Sequence, residues 1–452
     1  MSERVHAVVL AAGKGTRMKS RRPKVLHELC GRSMLGHVLE SLRASGIENP
    51  LIVINPDLRE PVEALGLRCA VQEPQRGTGH ALQIALAALA PDDTPILVVS
   101  ADMPLVPKSL IEGVIAARAA RDADVALVTA RAPLPSSFGR IVRDRSGAIR
   151  GIVEQRDATP EELRIDEVNA GIYCFKGGPL RRVINALRPD NAQAELYLTD
   201  CIAALAKEGR LESFTAPDHR DVSGINDRAE LAAARAILQQ RILERHMLAG
   251  VTVVDPASSY IDVSVAIQPD TIVQPQSHIY GRSSVGKNCV IGPNSIVLNS
   301  SIGDGAEIIQ STVKDSIVGA NVTVGPFAHL RGNSIVEEGA HIGNFVEMKN
   351  TRMGKGAKAG HLAYLGDAEV GARANIGAGT INCNYDGKRK NKTKIGADAF
   401  VGSNSSLVAP LEIGEGALTG AGSVVIRDVP AGERVAGNPA KALPKKQVPE
   451  PT

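Results

Sequence analysis

The feature that most constrains this chain is an aliphatic residue that returns every six positions through the second half of the sequence, often followed by glycine. The longest run of this pattern comprises Ile395-Gly396, Val401-Gly402, Leu407, Ile413-Gly414 and Thr419-Gly420. A fixed six-residue period is typical of a hexapeptide β-helix, in which each short strand forms one side of a prism. The aliphatic side chain then points to the prism axis, and small residues let the backbone turn each corner. Because one coil cannot bury its apolar face alone, the stacking of coils makes the core.

Composition narrows the class of protein. The chain has 452 residues, too many for one core, and 26 of its 44 glycines follow Gly250. A net charge of +3 does not favour nucleic-acid binding. The six cysteines form no CxxC pair or metal spacing, which is typical of thiols in a reducing cytoplasm. With no leader sequence and no apolar run near the ~18 residues that span a bilayer, we expect a cytoplasmic protein that binds no membrane.

The first half of the chain alternates strand-like and helix-like segments. Apolar runs at 5–10, Leu51–Ile54 and Ile96–Ser100, with a helical stretch at Gly79–Leu89, predict a mostly parallel, Rossmann-like α/β sheet with helices on both faces. Residues 227–248 contain no glycine or proline and predict one long connecting helix. We therefore predict three regions, namely an α/β domain at 1–226, a helical linker at 227–250, and a β-helix with a C-terminal tail at 251–452.

A glycine-bearing loop follows the first predicted strand. In Gly13-Lys14-Gly15-Thr16-Arg17 the backbone N–H groups can converge on phosphate oxygens. The loop is not a Walker motif, because GxxxxGK[ST] is absent, and Met18 stands where a dinucleotide fingerprint needs its third glycine. Arg17 and Lys24 would add the fixed positive charge that phosphoryl transfer uses. A plain glycine turn with two surface cations is the alternative for the loop by itself.

The segments Leu10–Met18 and Pro23–His27 together resemble the signature of sugar-phosphate nucleotidyltransferases. The chain is most similar to the bacterial bifunctional N-acetylglucosamine-1-phosphate uridylyltransferase/glucosamine-1-phosphate acetyltransferase family. The resemblance extends through Gln72, Gly77-Thr78, Phe138-Gly139-Arg140, Ile152-Val153-Glu154, Asn169-Ala170-Gly171, Leu198-Thr199-Asp200 and Gly224-Ile225-Asn226, and then through the whole hexapeptide half. It implies a uridylyltransferase domain at 1–226 and an acetyltransferase domain on a left-handed parallel β-helix at 251–452.

For the first domain the resemblance implies a site for UTP, N-acetylglucosamine 1-phosphate and Mg²⁺. Asp102 and Asn226 are the implied metal ligands, and oxygen ligands suit magnesium. Asp102 also follows an apolar run, at the strand end where open α/β sheets bind ligands, although a loop aspartate that caps a turn is the alternative. The implied nucleotide- and sugar-binding residues are Leu10, Ala11, Ala12, Gly13, Arg17, Lys24, Gln72, Gly77, Thr78, Ser100, Ala101, Asp102, Gly139, Glu154, Asn169 and Asn226.

Within that set the resemblance implies that Gln72 and Gly77-Thr78 recognise uracil. Lys24 would contact phosphate, and Gly139, Glu154 and Asn169 would hold the sugar. The implied reaction is attack of a sugar 1-phosphate oxygen on the α-phosphate of UTP, with release of pyrophosphate. Because the nucleophile is already an anion, positioning and charge neutralisation supply the catalysis. The family usually reads Tyr-Gly-Asp where this chain has Ser100-Ala101-Asp102, so the carboxylate is kept and the tyrosine and the flexible glycine are not.

A histidine and a tyrosine interrupt the small-residue repeat in the segment 360–367 (GHLAYLGD). Acetyl transfer from a thioester to a sugar amine requires removal of a proton from the amine, and histidine suits that step. A lone histidine is more often structural, and we interpret His329 and His341 in that way. Because the family motif contains this histidine as its base, we predict that His361 is the general base.

The repeat is interrupted once more before Ile395. Ile376 and Ile395 are nineteen residues apart, one more than three hexapeptides, which predicts a loop bulging from the prism within Asn382–Lys394. Five of the seven residues from Lys388 to Lys394 are basic, which fits either a solvated loop or an anion clamp for a sugar phosphate or for coenzyme A. The resemblance implies that Arg331, Lys349, Tyr364, Asn375 and Lys390 hold the sugar phosphate, and that Ala378, Asn384, Tyr385, Ser403 and Ala421 contact acetyl-CoA. The family's C-terminal arginine is missing, and Lys441 is a weak substitute.

Three hypotheses follow. The first is a bifunctional enzyme that acetylates glucosamine 1-phosphate with acetyl-CoA and then transfers uridylyl from UTP, supplying UDP-N-acetylglucosamine for peptidoglycan and lipopolysaccharide. The resemblance also implies homotrimers whose acetyl sites lie between neighbouring prisms. The second hypothesis is a nucleotidyltransferase whose β-helix is only structural or regulatory. The third is a non-catalytic regulatory or exchange-factor subunit, and the retained Arg17, Lys24, Asp102 and Asn226 argue against it.

Overall fold

The computed structural model describes residues 4–191, 193–207 and 209–443, in two compact units that divide between Ala236 and Ile237. The strands of the first unit are β1 His6–Ala11, β2 Glu28–Leu29, β3 Arg32–Ser33, β4 Leu51–Ile54, β5 Cys69–Val71, β6 Ile96–Ser100, β7 Val125–Arg131, β8 Arg140–Arg143, β9 Ile149–Val153, β10 Glu167–Phe175 and β11 Leu211–Thr215. The helices are α1 Met34–Ala44, α2 Arg59–Glu63, α3 Thr78–Ala88, α4 Lys108–Ala120, α5 Gly177–Ile184, α6 Thr199–Leu205 and α7 Arg228–Leu248. Short 3₁₀ turns lie at Thr16–Met18, Lys24–Leu26, Pro56–Leu58, Glu162–Arg164 and His219–Val222.

The main sheet of the first unit has the strand order β11-β7-β10-β6-β1-β4-β5. The strands β6, β1, β4 and β5 run parallel, whereas β10 is antiparallel to both β6 and β7 and also pairs with the hairpin β8-β9. The predicted mostly parallel α/β sheet is therefore confirmed, with one antiparallel strand and a hairpin that the sequence pattern did not predict. Leu10 pairs with Ser100, so β1 and β6 end at the same edge of the sheet.

Two apolar cores cover the two faces of this sheet. Alternate residues of β6 point to opposite sides: Leu97 and Val99 belong to one core, and Ile96 and Val98 to the other. Helices α1 and α4 pack against the first core, and α3, α5 and α6 against the second. A sheet buried on both faces has strands that read as continuous apolar runs, which is why the runs marked the strands so well.

The second unit is the predicted left-handed parallel β-helix, and its three sheets form three faces. Face 1 contains Thr252–Val253, Ile272–Val273, Val290–Ile291, Glu307–Ile308, Thr323–Val324, His341–Asn344, Lys358–His361, Asn375–Ile376, Phe400–Val401, Leu418–Thr419, Arg434–Ala436 and, antiparallel at its end, Lys441–Ala442. Face 2 contains Tyr260–Ile261, His278–Tyr280, Ile296–Leu298, Thr312–Lys314, His329–Arg331, Glu347–Lys349, Tyr364–Gly366, Ile381–Cys383, Ser406–Val408 and Val424–Val425. Face 3 contains Ala266–Ile267, Ser284–Val285, Ser301–Ile302, Ile317–Val318, Ile335–Val336, Arg352–Met353, Ala368–Val370, Thr393–Ile395 and Leu411–Ile413.

The loop that interrupts the repeat is longer than the sequence arithmetic predicted. On face 3, Glu369 pairs with Lys394, 25 positions later, whereas the flanking pairs Arg352–Glu369 and Thr393–Leu411 are 17 and 18 positions apart. The expected excess of one residue is therefore wrong, and the insertion is seven or eight residues. The error arose because Ile376 lies on face 1 and Ile395 on face 3, so the two are separated by two sides of the prism rather than three.

Most glycines that follow the aliphatic residues allow close stacking of coils, whereas Gly292 and Gly325 have φ values of 104° and 111° and serve the turns. A Cβ atom on Gly377 would lie 2.5 Å from the backbone N of Ser403, and one on Gly402 would lie 2.6 Å from the N of Ala421. Several corners are turned instead by asparagine or aspartate, such as Asn321 with a φ of 55° and Asp398 with a φ of 57°. Glycines with positive φ, such as Gly305 and Gly339, turn other corners, so the expectation holds for some corners and not for each of them.

We expect Gly402→Ala to destabilise the β-helix, because the added methyl group meets the backbone of the next coil. Overpacking of this kind costs about 1–3 kcal/mol, so the thermal midpoint of the β-helix should fall by several degrees. The matched control is Gly360→Ala, because a Cβ atom there has nothing within 4 Å. Thermal unfolding followed by circular dichroism tests the pair, and equal midpoints for the two variants would contradict the stacking explanation.

The predicted tail beyond residue 443 lies outside the described residues. Among the described residues, no helix combines the length and the apolar character that a membrane crossing requires.

Candidate active sites

The carboxyl edge of the first sheet brings together three polar residues that are distant in sequence. Lys24 lies in the 3₁₀ turn after Pro23, Asp102 follows β6, and Asn226 precedes α7. The Lys24 Nζ atom lies 2.6 Å from Asp102 Oδ2 and 3.2 Å from Asn226 Oδ1. A backbone bond of 2.9 Å from Ile225 N to Asp102 O holds the two oxygen-bearing segments side by side. Two side-chain oxygens thus converge on one position that accepts a cation.

The glycine loop is shaped to admit Lys24. Gly15 has a φ of 61°, and a Cβ atom on it would lie 2.5 Å from Lys24 Cβ. A larger residue at this position would be strained and would push the lysine away from the loop. Arg17 is exposed in the same loop, and Gly13 is exposed beside it. The loop and Lys24 therefore form one basic surface next to Asp102 and Asn226.

The convergence of oxygens fits a hard divalent cation such as magnesium. Mg²⁺ keeps several waters and takes one or two carboxylate or carbonyl oxygens, with substrate phosphates completing its shell. The described residues contain no group of three or more His, Cys, Asp or Glu side chains arranged to hold a metal, so an all-protein cage is not what this part of the chain offers. A site with two protein oxygens matches a cation shared with a nucleotide.

Gln72, Gly77 and Thr78 lie together beside the start of α3. Gln72 is buried, and its Nε2 donates to Gly77 O at 2.9 Å. Gly77 has a φ of 101°, and a Cβ atom there would lie 2.5 Å from Leu196 O. Thr78 Oγ1 accepts a hydrogen bond of 3.0 Å from Leu198 N. The segment before α6 therefore fixes the conformation of the residues implied to recognise uracil.

Gly139, Glu154 and Asn169 also form one group. Asn169 N donates to Gly139 O at 2.9 Å, and a Cβ atom on Gly139 would lie 3.3 Å from Glu154 Oε2. Burial raises the pKa of Glu154, against a lowering contribution from the hydrogen bond of 3.2 Å that Thr199 Oγ1 donates to it. The side chain of Asn169 is held by Tyr173, with Nδ2 donating to the Tyr173 hydroxyl at 2.7 Å.

The remaining residues assigned to this site differ in what they can offer. Ala11, Ala12 and Ala101 are buried, so their side chains cannot contact a substrate and only their backbone atoms can. Ala101 N bonds to Leu10 O at 2.9 Å, which ties β6 to β1 at the site. Ser100 ends β6 and is half-buried. Ala101, which stands where the family has glycine, is therefore packed into the core, and the end of β6 stays paired with β1.

Several residues of this site were missed by sequence reasoning. Asn55 and Gln75 both direct their amide nitrogens at Ala12 O, at 3.4 and 3.1 Å. His80 contacts Gln72, and Tyr173 contacts Asn169. Asn55 directly follows β4 at the same edge of the sheet, a position that could have flagged it. Gln75 and Tyr173 carry no signal in the sequence.

In the β-helix, His361 lies at the corner between faces 1 and 2 and is exposed. It pairs with Asn344 of the preceding coil, and its Nδ1 atom bonds to Asn344 Oδ1. Extending the register pair Ala359–Ile376 by two residues brings Ala378 to the same corner in the next coil. The pairs Ile376–Val401 and Val401–Thr419, extended in the same way, bring Ser403 and Ala421 to that corner.

Three of the residues implied to contact acetyl-CoA therefore form one column with His361. Backbone bonds run from the residue after each member to the member in the preceding coil: Asn404 N donates to Ala378 O at 2.7 Å, and Gly422 N donates to Ser403 O at 2.8 Å. The other two implied acetyl-CoA residues lie elsewhere. Asn384 bonds to Asp367, and Tyr385 is exposed at the start of the inserted loop.

Arg331 and Lys349 end two successive strands of face 2 and, with Lys390 of the inserted loop, form a basic cluster. Arg331 pairs in register with Lys349, and Arg331 Nε donates to Glu347 Oε1 at 2.9 Å. The Lys390 ammonium group from the inserted loop lies close enough to lower the pKa of Lys349. Two cations held against each other in this way form a site that a dianion would stabilise.

Asp367 places a carboxylate close to the lysines of this cluster. It accepts hydrogen bonds from Asn350 Nδ2 at 2.7 Å and from Asn384 Nδ2 at 2.5 Å. Burial raises the pKa of the Asp367 carboxyl, but these two bonds and the charges of Lys390 and Lys349 outweigh burial and hold the pKa below its usual value. Asp367 belongs to the motif that contains His361, yet no role was predicted for it.

The other residues implied to hold the sugar phosphate divide between faces. Tyr364 stands on face 2, in register with Glu347, and its hydroxyl lies close to Gly366, near Asn384. Asn375 stands on face 1, in register with Lys358 and Phe400, and is not grouped with the basic cluster within one chain. Lys441 is exposed in the last described strand and pairs with Ala436.

Of the two histidines interpreted as structural, His341 differs from His361 in being half-buried. His341 Nδ1 bonds to Thr323 Oγ1 at 2.6 Å, and burial, with the charges of His361 and Lys358, lowers the pKa of His341. His329 is exposed on face 2.

The fold and these two groups of residues define a class of protein: a sugar-phosphate nucleotidyltransferase domain joined in one chain to a hexapeptide β-helix. Residues 7–166 match the model of the MobA-like NTP transferase domain, and residues 261–353 match that of the GMPPB C-terminal domain. The chain is 43% identical to the bifunctional protein GlmU of Geobacillus sp. (strain WCH70), over 94% of this chain and 93% of that protein. It is 46% identical to GlmU of Sorangium cellulosum (strain So ce56), over 94% and 92%, and 44% identical to that of Pelobacter propionicus (strain DSM 2379 / NBRC 103807 / OttBd1), over 95% of each.

The chain belongs to the GlmU family of bifunctional enzymes. Each match spans nearly the full length of this chain and of its relative, so it covers the nucleotidyltransferase half and the β-helix half together. The prediction of a bifunctional uridylyltransferase and acetyltransferase is thereby confirmed.

Proposed function

We propose that the chain makes UDP-N-acetylglucosamine in two steps, with the β-helix acetylating glucosamine 1-phosphate and the first domain uridylylating the product. The observation that carries the proposal is the convergence of Lys24 Nζ on Asp102 Oδ2 and Asn226 Oδ1, at 2.6 and 3.2 Å. This geometry brings a phosphate-binding cation and two magnesium-type oxygens to one strand edge. The second domain supplies a separate histidine, so each step has its own site.

In the uridylyl step a phosphate oxygen of N-acetylglucosamine 1-phosphate attacks the α-phosphorus of UTP. A new P–O bond forms, the bond to the β-phosphate breaks, and pyrophosphate leaves with the electron pair. Mg²⁺ held by Asp102 and Asn226 would offset the negative charge of the triphosphate. Lys24 and Arg17 supply fixed positive charge beside the glycine loop, and Gly139, Glu154 and Asn169 orient the sugar. No protein base is required, because the nucleophile is an anion.

In the acetyl step the amine of glucosamine 1-phosphate attacks the thioester carbonyl of acetyl-CoA. The C–N bond forms, the C–S bond breaks, and the amine proton passes to His361 and then to the departing thiolate. With Nδ1 donating to Asn344 Oδ1, the neutral imidazole carries its free lone pair on Nε2, where it can accept that proton. The column of Ala378, Ser403 and Ala421 lies at the same corner, which supports an acetyl-CoA path that ends at His361.

The phosphate of glucosamine 1-phosphate is assigned to Arg331, Lys349 and Lys390, with Tyr364 and Asn375 on the sugar side. Asn384 and Tyr385 remain assigned to acetyl-CoA, although Asn384 also bonds to Asp367 of the basic cluster. A phosphate dianion between Lys349 and Lys390 would relieve their mutual repulsion, which is what lowers the pKa of Lys349. The anion clamp is therefore preferred over a merely solvated loop.

We expect Lys390→Ala to raise the KM for glucosamine 1-phosphate by about 10- to 100-fold with a smaller change in kcat, because a charge-assisted contact to phosphate is lost. The matched control is Lys392→Ala in the same loop. Lys392 is exposed and is paired with Glu369 at 3.2 Å, outside the cluster. Steady-state acetylation measured by release of free thiol tests the pair. Equal KM values for the two variants would show that the loop is not a clamp.

Purified protein tests the whole proposal when each step is assayed alone and then both together. Glucosamine 1-phosphate with acetyl-CoA should release coenzyme A, and N-acetylglucosamine 1-phosphate with UTP and Mg²⁺ should release pyrophosphate. Loss of the second release when Mg²⁺ is chelated, with restoration on adding Mg²⁺, is the expected cofactor result. The homotrimer, the cytoplasmic location and the supply of precursor to peptidoglycan and lipopolysaccharide stay predictions.

A further inference from the structure

A chain of hydrogen bonds determines which way the Gln72 amide faces. Gln72 Nε2 lies 2.9 Å from Gly77 O and 3.1 Å from His80 Nδ1. A backbone carbonyl oxygen can only accept hydrogen bonds, so the atom facing Gly77 O must be the amide nitrogen. Both protons of that nitrogen are then committed, one to Gly77 and one to His80. Because an amide nitrogen cannot accept, His80 Nδ1 must be the acceptor, and the neutral ring carries its proton on Nε2.

The arrangement leaves one polar atom of Gln72 available. Gln72 is 3% exposed, and no described residue donates a hydrogen bond to its Oε1 atom. The two acceptors that orient the amide are themselves fixed. Gly77 lies tightly against Leu196, because a Cβ atom on Gly77 would be 2.5 Å from the Leu196 carbonyl oxygen. His80 belongs to the first turn of α3.

We propose that His80 is a specificity-determining residue of the uridylyl site. Together with Gly77 it holds the amide nitrogen of Gln72, so that Gln72 Oε1 is left to accept a hydrogen bond from the base. The inference rests on the proposed function, since it takes Gln72 as the residue that meets the base of the nucleotide. It adds the reason why the base is uracil, and it assigns a role to His80, which is not among the residues that carry the family resemblance.

The hydrogen-bonding edge of the base explains the selectivity. Uracil presents an N3–H donor, which a fixed amide oxygen accepts, whereas cytosine presents an N3 lone pair at the same position. An Oε1 atom that cannot turn away would face that lone pair, and a buried polar group left unpaired is costly. A site built to bond one polar group rejects the analogue that lacks it more strongly than an apolar pocket rejects a small change in size. A freely rotating Gln72 would accept either base, so selectivity depends on what holds the amide.

Burial and the charge of Arg76 lower the pKa of His80, so the ring is neutral near neutral pH and remains an acceptor. The orientation of the amide is fixed by the contacts of 2.9 Å to Gly77 and 3.1 Å to His80. Its consequence is that an acceptor at position 80 is required, rather than a histidine as such.

The test uses the full-length protein with N-acetylglucosamine 1-phosphate and Mg²⁺, and measures kcat/KM for UTP and for CTP by release of pyrophosphate. His80→Phe keeps a ring of similar size but removes the acceptor. It is expected to lower the ratio of kcat/KM for UTP to that for CTP about tenfold, mostly because kcat/KM for UTP falls. The KM for the sugar phosphate should not change. His80→Asn, whose side-chain oxygen can accept from Gln72, is expected to restore the ratio to within about threefold of the wild-type value.

A double-mutant cycle separates positioning from general damage to the fold. Gln72→Leu removes the acceptor, and adding His80→Phe to it should change the ratio no further, because there is no amide left to orient. His80→Leu replaces His80→Phe in the cycle if the latter does not accumulate as folded protein. The proposal is overturned if His80→Phe lowers UTP and CTP turnover equally, if His80→Asn is no better than His80→Phe, or if the two substitutions act additively. A wild-type protein that turns over UTP without preferring it to CTP overturns this inference alone, whereas one that releases no pyrophosphate from UTP overturns the proposed function.

Discussion

Replacing Asp102 with asparagine is expected to lower kcat for pyrophosphate release about 10³-fold, equivalent to roughly 4 kcal/mol of transition-state stabilisation, while acetyl transfer continues unchanged. The substitution keeps the size of the side chain and one oxygen atom, so the strand end after β6 should stay folded. What it removes is the negative charge opposite Lys24 Nζ, 2.6 Å away, and the charged ligand for the metal. Initial rates at several Mg²⁺ concentrations should show a raised requirement for the cation together with the lower kcat.

The matched control for this substitution is Asp92→Asn. Asp92 lies before β6, at the opposite end of the same strand, where its side chain is half-exposed and lies 3.5 Å from His6 Nε2. Its loss should leave pyrophosphate release within about twofold of the wild-type rate, as expected for an exposed pair. A fully active Asp102→Asn enzyme with an unchanged Mg²⁺ requirement would mean that the convergence of Asp102 and Asn226 on Lys24 is a structural ion pair only.

Replacing His361 with alanine is expected to lower kcat for acetyl transfer by about 10³-fold, because general-base catalysis contributes about 10²- to 10⁴-fold. Pyrophosphate release in the other half of the chain should be unaffected. His361 is exposed at its corner, so the β-helix should retain its stability. Release of free coenzyme A from acetyl-CoA and glucosamine 1-phosphate measures the loss, and thermal unfolding verifies the fold.

The control for the imidazole is His329→Ala, which removes an exposed histidine from face 2 and should retain the wild-type rate of acetyl transfer. Asn344→Ala adds a graded test, because it removes the acceptor that fixes the tautomer of His361. Its kcat should fall less than that of His361→Ala, with the KM for acetyl-CoA unchanged. If His361→Ala still transfers acetyl groups at the wild-type rate, His361 is not the base, and the second hypothesis, a β-helix without catalysis, gains support.

Strand positions were predicted well because the relevant pattern is local. Leu51–Ile54 and Ile96–Ser100 are strands over the same residues that the apolar runs marked. A sheet buried on both faces selects continuous apolar runs, and this selection acts on consecutive residues. The placement of Asp102 at a strand's carboxyl end followed from the same run. The antiparallel strand β10 was not predicted, since the direction of a strand depends on the path of the chain between strands.

The contacts within each site were less accessible from sequence. Lys24 lies 78 positions from Asp102 and 202 from Asn226, so only folding brings their side chains together. Asn344 could have been found, because one coil separates it from His361 and the repeat gives that distance. His80 could not, because its role depends on where the amide protons of Gln72 point.

The amino-acid sequence alone specifies the architecture, since apolar periodicity and glycine spacing are properties of neighbouring residues that decide which faces are buried. It also limited the reactive groups to a few motifs, through a resemblance that covers both halves of the chain. Three features follow from the folded structure alone: the length of the inserted loop, the reason for the repeat glycines and the orientation of the Gln72 amide. The first two depend on contacts between different coils, and the third depends on contacts of about 3 Å from Gln72 to Gly77 and His80. Hydrogen bonding and steric repulsion act over such distances, which are set by the folded backbone rather than by the residue pattern.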